Sequence, residues 1–487
     1  MSTKKLIKAL GLIIVVALLA AALPLQAKAQ GEVNRTITVC ASGCDFTSIQ
    51  AAITAATAGD TITVAAGSYN ENVTVNKQLT IVGAGAESVT VDALVSTLQC
   101  FHITADGVSL SGFTVTGALN GSTDAILLDS ADNCTISNNI ATNNYWGITL
   151  YNAKNNTLTG NVANLNTAVG IGLSGADTTG NQISANTASN NASTGILLSP
   201  GVGGNNIIDG NTVSANGKNG VSISSSNNTV TNNTITGNAT TNTQGAGIAL
   251  FDPVSGNTIQ FNTITGNTGF GGVGSTSSGT NDISKNWWGS ATGPTNKDNP
   301  GGTGDVLWTN KAIALLTYSP WLANPPVHNV TQGTYHATIQ AAIDAAANGD
   351  TIEVPAGTYV EDVVVTDKYF NLIGAVDTNG DPISILEGSL FINNPSYSDD
   401  GTPEFTTLKN IYFERTDSHL LNLTNFNGGL IENCVFDGNN GFLDYQFNGI
   451  NLVSGPNGNS NITVLDSTFK DGLYVGIGGY ADGLTVQ

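Results

Sequence analysis

Short runs of Thr, Val and Ile alternate with Asn, Gly and Ser along most of the chain, and between residues 124 and 290 they do so at a fixed period. A Gly followed by a β-branched residue recurs at Gly147-Ile148, Gly170-Ile171, Gly195-Ile196, Gly220-Val221, Gly247-Ile248 and Gly272-Val273, in steps of 23, 25, 25, 27 and 25 residues. Two Asn series follow it. The first is Asn133, Asn156, Asn181, Asn206, Asn228, Asn257 and Asn281; the second is Asn139, Asn161, Asn186, Asn211, Asn233, Asn262 and Asn286. They lie six residues apart in the first copy and five in each later one. Such a repeat reads as one coil of three strands, with almost no stretch that favours helix. When coils stack at about 4.8 Å, equivalent positions align, so inward Ile, Leu and Val form apolar columns and outward Thr and Ser face water. An Asn at each bend tolerates a left-handed backbone, and its amide can bond the Asn of neighbouring coils. The Asn-x-Thr triplets then follow as by-products of this ladder rather than as glycosylation sites.

The pattern predicts an all-β right-handed parallel β-helix. A leucine-rich repeat would need a denser Leu spacing, and a left-handed β-helix would need a hexapeptide period. A second signal duplicates the architecture. Thr47-Ser48-Ile49-Gln50-Ala51-Ala52-Ile53, Gly59-Asp60-Thr61-Ile62 and Gly67-Ser68-Tyr69-Asn70-Glu71 return as Thr338-Ile339-Gln340-Ala341-Ala342-Ile343, Gly349-Asp350-Thr351-Ile352 and Gly357-Thr358-Tyr359-Val360-Glu361. Ile49, Ala52, Ile53 and Ala56 share one helical face, and Thr47 with Gln50 resembles a capping box. An open end of a parallel stack exposes unpaired strands and apolar side chains, so a short helix there is expected to cover it. The prediction is two tandem β-helix domains, each beginning with a short capping helix: residues 30–324, then residues 325–487 after the Asn324-Pro325-Pro326 linker. Leu484-Thr485-Val486-Gln487 reads as an unfinished coil, so the second domain is expected to be truncated.

Composition narrows the function. Only 10 % of the 487 residues are charged, with 15 Lys plus Arg against 36 Asp plus Glu and a formal charge of -21. Such a surface repels polyanions, so nucleic acid is excluded as a partner. Lys4, Lys5 and Lys8, the apolar run from Ala9 to Leu23, and Ala27-Lys28-Ala29 make residues 1–29 a signal peptide; the run is short for a membrane span. No later segment is apolar enough to span a membrane, and a monomer that is secreted or held at the cell surface is expected. Five cysteines are too few and too scattered for a disulfide framework. Cys40 and Cys44 alone are close enough to pair, as a small-loop disulfide or as free thiols; Cys100, Cys134 and Cys434 read as buried apolar residues.

The paired start signals resemble those of the pectin-lyase-like β-helix superfamily. The middle coils are similar to repeats of carbohydrate-binding and sugar-hydrolase β-helix proteins, and to copper-associated periplasmic ones. Asn286-Trp287-Trp288-Gly289, Gly293-Pro294 and Ser319-Pro320-Trp321-Leu322 resemble a closing segment of such domains. The resemblance implies polysaccharide as a partner, but no catalytic set is complete. Gly67-x-Tyr69-x-Glu71 and Gly357-x-Tyr359-x-Glu361 resemble a pectin methylesterase motif without that family's later Asp and Arg-Pro-Trp motifs. Asp124, Asp129 and Asp132 offer the paired carboxylates of a polygalacturonase, without its Gly-His-Gly and Arg-x-Lys motifs. Lyase chemistry often uses an Arg base, and the chain has only Arg35 and Arg415. Soft copper ligands are sparse, with one Met and four scattered His. No cofactor or metal site is expected. Ca²⁺ stays open only through the alternating oxygens of Asp377-x-Asn379-x-Asp381, which also read as a solvated turn.

Tyr145 and Trp146 stand where later coils have Ala168-Val169, Ser193-Thr194 and Lys218-Asn219. They are the candidate carbohydrate contacts, with packing against a loop as the alternative. The expected function is an exported or cell-surface β-helix protein that associates with extracellular polysaccharide, the expected glycan being neutral. The alternatives are a structural stalk or adhesin segment, or a polysaccharide lyase or hydrolase with an unrecognised site.

Overall fold

The computed structural model describes residues 34–487 except 395–404, 416–417, 439–446, 454, 456–457 and 472, so the expected leader lies outside the described residues. Strands of three to six residues dominate, because Thr, Val and Ile recur in short alternating runs that Asn and Gly interrupt. They stack in parallel register as a three-sided solenoid. Sheet I has twelve strands from Thr36–Val39 to Leu316–Thr317, and sheet II has eleven, among them Asp124–Asp129, Trp146–Tyr151 and Val169–Ser174. The third side is carried by a five-stranded and a three-stranded sheet, with Thr187 bridging Val162 and Thr212 between them. Apolar side chains form columns through the interior. In sheet I one such column is Ile136, Leu158, Ile183, Ile208, Val230 and Ile259, in register and fully buried.

From Val327 a second set of three sheets begins, with eight, five and five strands. Its buried apolar cluster contains none of the residues of the first. The stacking is parallel except at Val327–Asn329, which pairs antiparallel with Thr334–His336 and with Thr351–Val354.

The bends depart from the expected picture in an instructive way. Left-handed backbone and ladder bonding belong to two adjacent residues, not to one. Asn155, Asn205 and Asn227 take the positive φ angles, 56°, 63° and 60°, as do Ala185 at 53° and Phe261 at 56°. The next residue in each case carries the ladder and points inward. Asn161 is typical: its N–H and Nδ2 donate to Asn186 Oδ1 at 2.9 and 3.0 Å, and Nδ2 also donates to the carbonyl of Ile136 at 2.8 Å. Asn133 is therefore not the head of its column. Cys134 fills that place, its N–H bonded to Asn156 Oδ1 at 2.7 Å, and the six-residue spacing of the first copy becomes five. A third ladder, unread in the sequence, runs through Asn144, Asn166, Asn191, Asn216, Asn238 and Asn267. It ends on a carboxylate: Asp305 accepts from the N–H of Gly266 and from the N–H and Nδ2 of Asn267 at 2.9 to 3.0 Å.

Both start signals fold alike. Helices α1 (Ile49–Ala55) and α2 (Ile339–Ala345) bury Ile49, Ala52 and Ile53 and their counterparts Ile339, Ala342 and Ile343. The N-cap of α1 is Ser48, one residue later than the expected Thr47, and its acidic partner comes from the next coil. Glu71 accepts from the N–H groups of Ile49 and Gln50 at 2.9 Å, and Glu361 does the same for Ile339 and Gln340 at 2.8 and 3.0 Å. At the other end Lys77 Nζ donates to the carbonyls of Ile53, Thr54 and Ala56, and Lys368 Nζ to those of Ile343 and Asp344. A carboxylate at the N-terminus and an ammonium at the C-terminus satisfy the groups that a short helix leaves unpaired. The Glu of Gly-x-Tyr-x-Glu is thus a helix clamp. The Asp of Gly-Asp-Thr-Ile ties in the preceding segment, Asp60 accepting from Thr57 N–H and from the N–H and guanidinium of Arg35.

Two outcomes follow. Asn186→Leu removes the acceptor of Asn161 N–H and Nδ2 in the interior and should cost about 1 to 3 kcal/mol in urea unfolding, whereas Asn205→Gly, at an exposed left-handed bend, should change little. The Asp60 carboxyl lies well below its ordinary 3.8, through the Thr57 N–H first and then the N–H and guanidinium of Arg35. Its contribution is complete above pH 3.8 and is lost as pH falls toward the lower folded value. Asp60→Asn should flatten that acid limb in denaturation midpoints measured from pH 5 to 2.

Candidate functional site

The outer face of sheet II is set by a fixed offset from the repeat glycines. Residues two places after Gly147, Gly170, Gly195, Gly220, Gly247 and Gly272 alternate with buried Ile, Val and Leu and point outward. They are Thr149, Gly172, Leu197, Ser222, Ala249 and Gly274, in register from strand to strand. At the Thr149 end of this row a cleft of about 510 Å³ opens, and Tyr145, Trp146 and Tyr151 line it together with Asp124, Thr149, Gln99, Ser122, Leu127 and Ser174.

Trp146 opens its strand instead of sitting in the preceding bend, paired with Asp124 on one side and Val169 on the other. Its indole occupies the space that a side chain at Gly172 would need, 2.6 Å from an ideal Cβ there. Tyr145 sits in the bend just before, its N–H bonded to the carbonyl of Ala118, and Tyr151 stands 46 % exposed at the other edge of the cleft. Asp124 and Thr149 are buried polar residues of the cleft, and Thr149 donates its hydroxyl to the Asp124 carboxyl. Burial pushes that carboxyl up to about 7 against the opposing effect of the Thr149 bond. Aromatic rings beside a buried carboxyl and several hydroxyls can cover the apolar face of a polyhydroxylated ring and hydrogen-bond its edge.

The other candidate residues lie elsewhere. Asp129 meets His102 at 3.2 Å, and Asp132 accepts from the Lys154 N–H at 2.7 Å; neither lines the cleft. Cys40 and Cys44 are bonded, Sγ–Sγ 2.02 Å, in the turn after the first strand, and Cys100, Cys134 and Cys434 are buried free thiols. Asp377 closes a turn, accepting from the N–H groups of Asn379 and Asp381 at 2.8 and 2.9 Å. Among the described residues no three His, Cys, Asp or Glu gather as a metal site, and no helix is long and apolar enough to cross a membrane. Sequence reasoning held Asp124 and the Tyr145-Trp146 pair apart. The link was the row two residues beyond each repeat Gly, which places Thr149 between them and leaves Gly172 open for the indole.

Residues 99–264, which carry this cleft, match the family model of the right handed beta helix region. The chain carries a right-handed β-helix. A 100-residue stretch is 38 % identical to a cell surface glycoprotein of Methanothermus fervidus, over 20 % of this chain and 16 % of that protein, so the match spans about a sixth of that relative. Among solved structures, an alginate lyase from Paenibacillus sp. is 15 % identical with a TM-score of 0.43, over 52 % of this chain and 95 % of that one. The A-module of a mannuronan C-5 epimerase from Azotobacter vinelandii is 14 % identical with a TM-score of 0.41, over 90 % and 94 %.

The Asp124 environment sets a pH dependence for the β-helix. A carboxyl raised on folding contributes most below its ordinary 3.8, and the contribution falls as pH rises through about 7. The wild-type chain should therefore lose stability between pH 5 and 8. Asp124→Asn should lose less, as read from urea midpoints across that range.

Proposed function

We propose that this is an exported or cell-surface β-helix protein that associates with extracellular polysaccharide through the outer face of sheet II. The observation that carries the reading is the convergence of Tyr145, Trp146 and Tyr151 with the buried Asp124 and Thr149 in one cleft of the solenoid side. Flat rigid sheets hold such groups with little freedom to lose on binding. A net charge of -21 favours neutral glycans over polyuronates, unless Ca²⁺ bridges the latter. In this reading the chain acts as a monomer of two tandem β-helix domains, residues 30–324 and 325–487. Helices α1 and α2 cover the starting coil of each, which the separate apolar clusters and the duplicated Glu and Lys clamps support. A structural stalk within a larger surface protein is the second reading, favoured by the matching stretch of a cell surface glycoprotein.

A glycan array with the purified protein, with and without Ca²⁺, tests this reading. Binding to a neutral glycan is expected, and Trp146→Ala should weaken it at least about tenfold, since one desolvated aromatic contact is worth on the order of 1 to 2 kcal/mol. Absence of binding to every glycan would leave the stalk. Release of reducing ends or unsaturated products, abolished in Asp124→Asn, would replace association by cleavage.

A further inference from the structure

The ladders account for only some of the Asn-x-Thr and Asn-x-Ser triplets. In Asn191-Ala192-Ser193 and Asn238-Ala239-Thr240 the Asn is itself a ladder residue, buried and bonded through Nδ2 to Asn216 and Asn267. A glycan has no room there. In Asn133-Cys134-Thr135, Asn155-Asn156-Thr157 and Asn227-Asn228-Thr229 the middle residue holds the ladder position. The Asn that begins each of these triplets is the exposed left-handed one, at φ 57°, 56° and 60°. Its Nδ2 makes no hydrogen bond with the described residues. Thr135, Thr157 and Thr229 open strands of sheet I and face outward, since Ile136, Leu158 and Val230 fill the interior.

These three Asn stand in one column. The strands that begin at Thr135, Thr157, Gln182, Ile207, Thr229 and Thr258 are consecutive neighbours in register, so the bends before them stack as Asn133, Asn155, Gly180, Asn205, Asn227 and Gly256. At about 4.8 Å per coil, Asn133 lies about 5 Å from Asn155, and Asn227 about 14 Å from it on the other side. The coil after Asn155, like the coil after Asn227, has glycine in the column. An ideal Cβ on Gly180 would lie 2.6 Å from Asn155 Oδ1, and one on Gly256 closer still to Asn227 Oδ1, so glycine gives each Asn side chain room at the surface. Asn205 shares the exposed left-handed bend but has Ile207 where the triplet needs a hydroxyl. Elsewhere Nδ2 is engaged: that of Asn72 by the carbonyls of Val95 and Gln99, that of Asn232 by Asp209, and that of Asn461 by Asn427. Asn34 and Asn120 begin exposed triplets that lie off the column.

We propose that Asn133, Asn155 and Asn227 are acceptors of N-linked glycan, in one row along the edge where sheet II passes into sheet I. The co-reactant is a lipid-phosphate-linked oligosaccharide, used by a membrane glycosyltransferase of the exporting cell. Nδ2 forms a bond to the anomeric carbon, the bond from that carbon to the phosphate oxygen breaks, the lipid phosphate leaves with the electron pair, and Nδ2 gives up one proton. Sugar attached there projects from the bend and leaves the ladders and the apolar columns untouched. The inference rests on the exported reading of the chain and not on the ligand of the Trp146 cleft.

Glycopeptide mass spectrometry of the full chain, recovered from the surface and secreted fractions of the cells that make it, tests the row. Sugar is expected on Asn227 and on at least one of the neighbours Asn133 and Asn155, with Asn191, Asn205 and Asn238 bare. Thr229→Ala leaves Asn227 in its bend and breaks the triplet, so the intact mass should fall by one glycan. Adding Ile207→Thr to that variant completes a triplet at Asn205 and should restore the glycan one coil away; urea midpoints check that both variants are folded. An exported chain with the column bare, sugar on Asn191, Asn205 or Asn238 of the wild type, or sugar confined to Asn34 and Asn120 overturns the row while export stands. If the chain reaches neither fraction, the exported reading fails and takes the row with it.

Discussion

Every other feature depends on how the solenoid satisfies the backbone at its bends. A coil that turns three times in about 25 residues brings main-chain amides and carbonyls into an interior without water, where an unpaired group costs on the order of 1 to 3 kcal/mol. The inward Asn columns meet that cost with one side chain per bend. Along the middle of each column Oδ1 accepts two N–H donors from the coil before it and Nδ2 returns a bond to the main chain, as Asn186 does in accepting from Asn161 and donating to Leu158 at 2.9 Å. The ladder needs a neighbour on both sides, and where the third one runs out the Asp305 carboxylate takes the place of the next amide.

Satisfying the bends internally frees the outward faces. Residues on the outer row of sheet II are not asked to hold the fold, so this row varies between Thr149, Gly172, Leu197, Ser222, Ala249 and Gly274 while the inward Ile, Val and Leu hardly change. Glycine there has a specific use. It lets an aromatic from a neighbouring bend or strand lie against the sheet, as Trp146 does over Gly172 and Phe270 over Gly274. The scaffold fixes these rings in place, and the proposed chemistry is that of a rigid, patterned surface rather than of a loop that closes on its ligand.

The start of each stack shows the same economy. Glu71 and Lys77 reach back one coil to the two ends of α1, and Glu361 and Lys368 repeat this at α2. A seven-residue helix is too short to be stable alone, so its ends are held by the strands it packs against. That dependence explains why the capping box expected within Thr47–Gln50 is replaced by Ser48 and a Glu more than twenty residues away.

The sequence by itself determined the coil. Period, strand content, the apolar columns and two of the three Asn series are local patterns repeated often enough to be read without coordinates, because stacking copies each position onto the next. It also marked Tyr145 and Trp146 as aromatics out of place, and Asp124 as a carboxyl in reach of chemistry. Only the tertiary structure decided what those residues share. Asp124 and Thr149 are 25 residues apart and meet because their strands are adjacent. The third ladder was hidden because its Asn residues sit among others of the same type, and a one-residue shift separates an exposed left-handed Asn from the buried one beside it. The helix clamps and the cleft arise from register between coils, which sequence spacing constrains to within a residue and packing alone fixes.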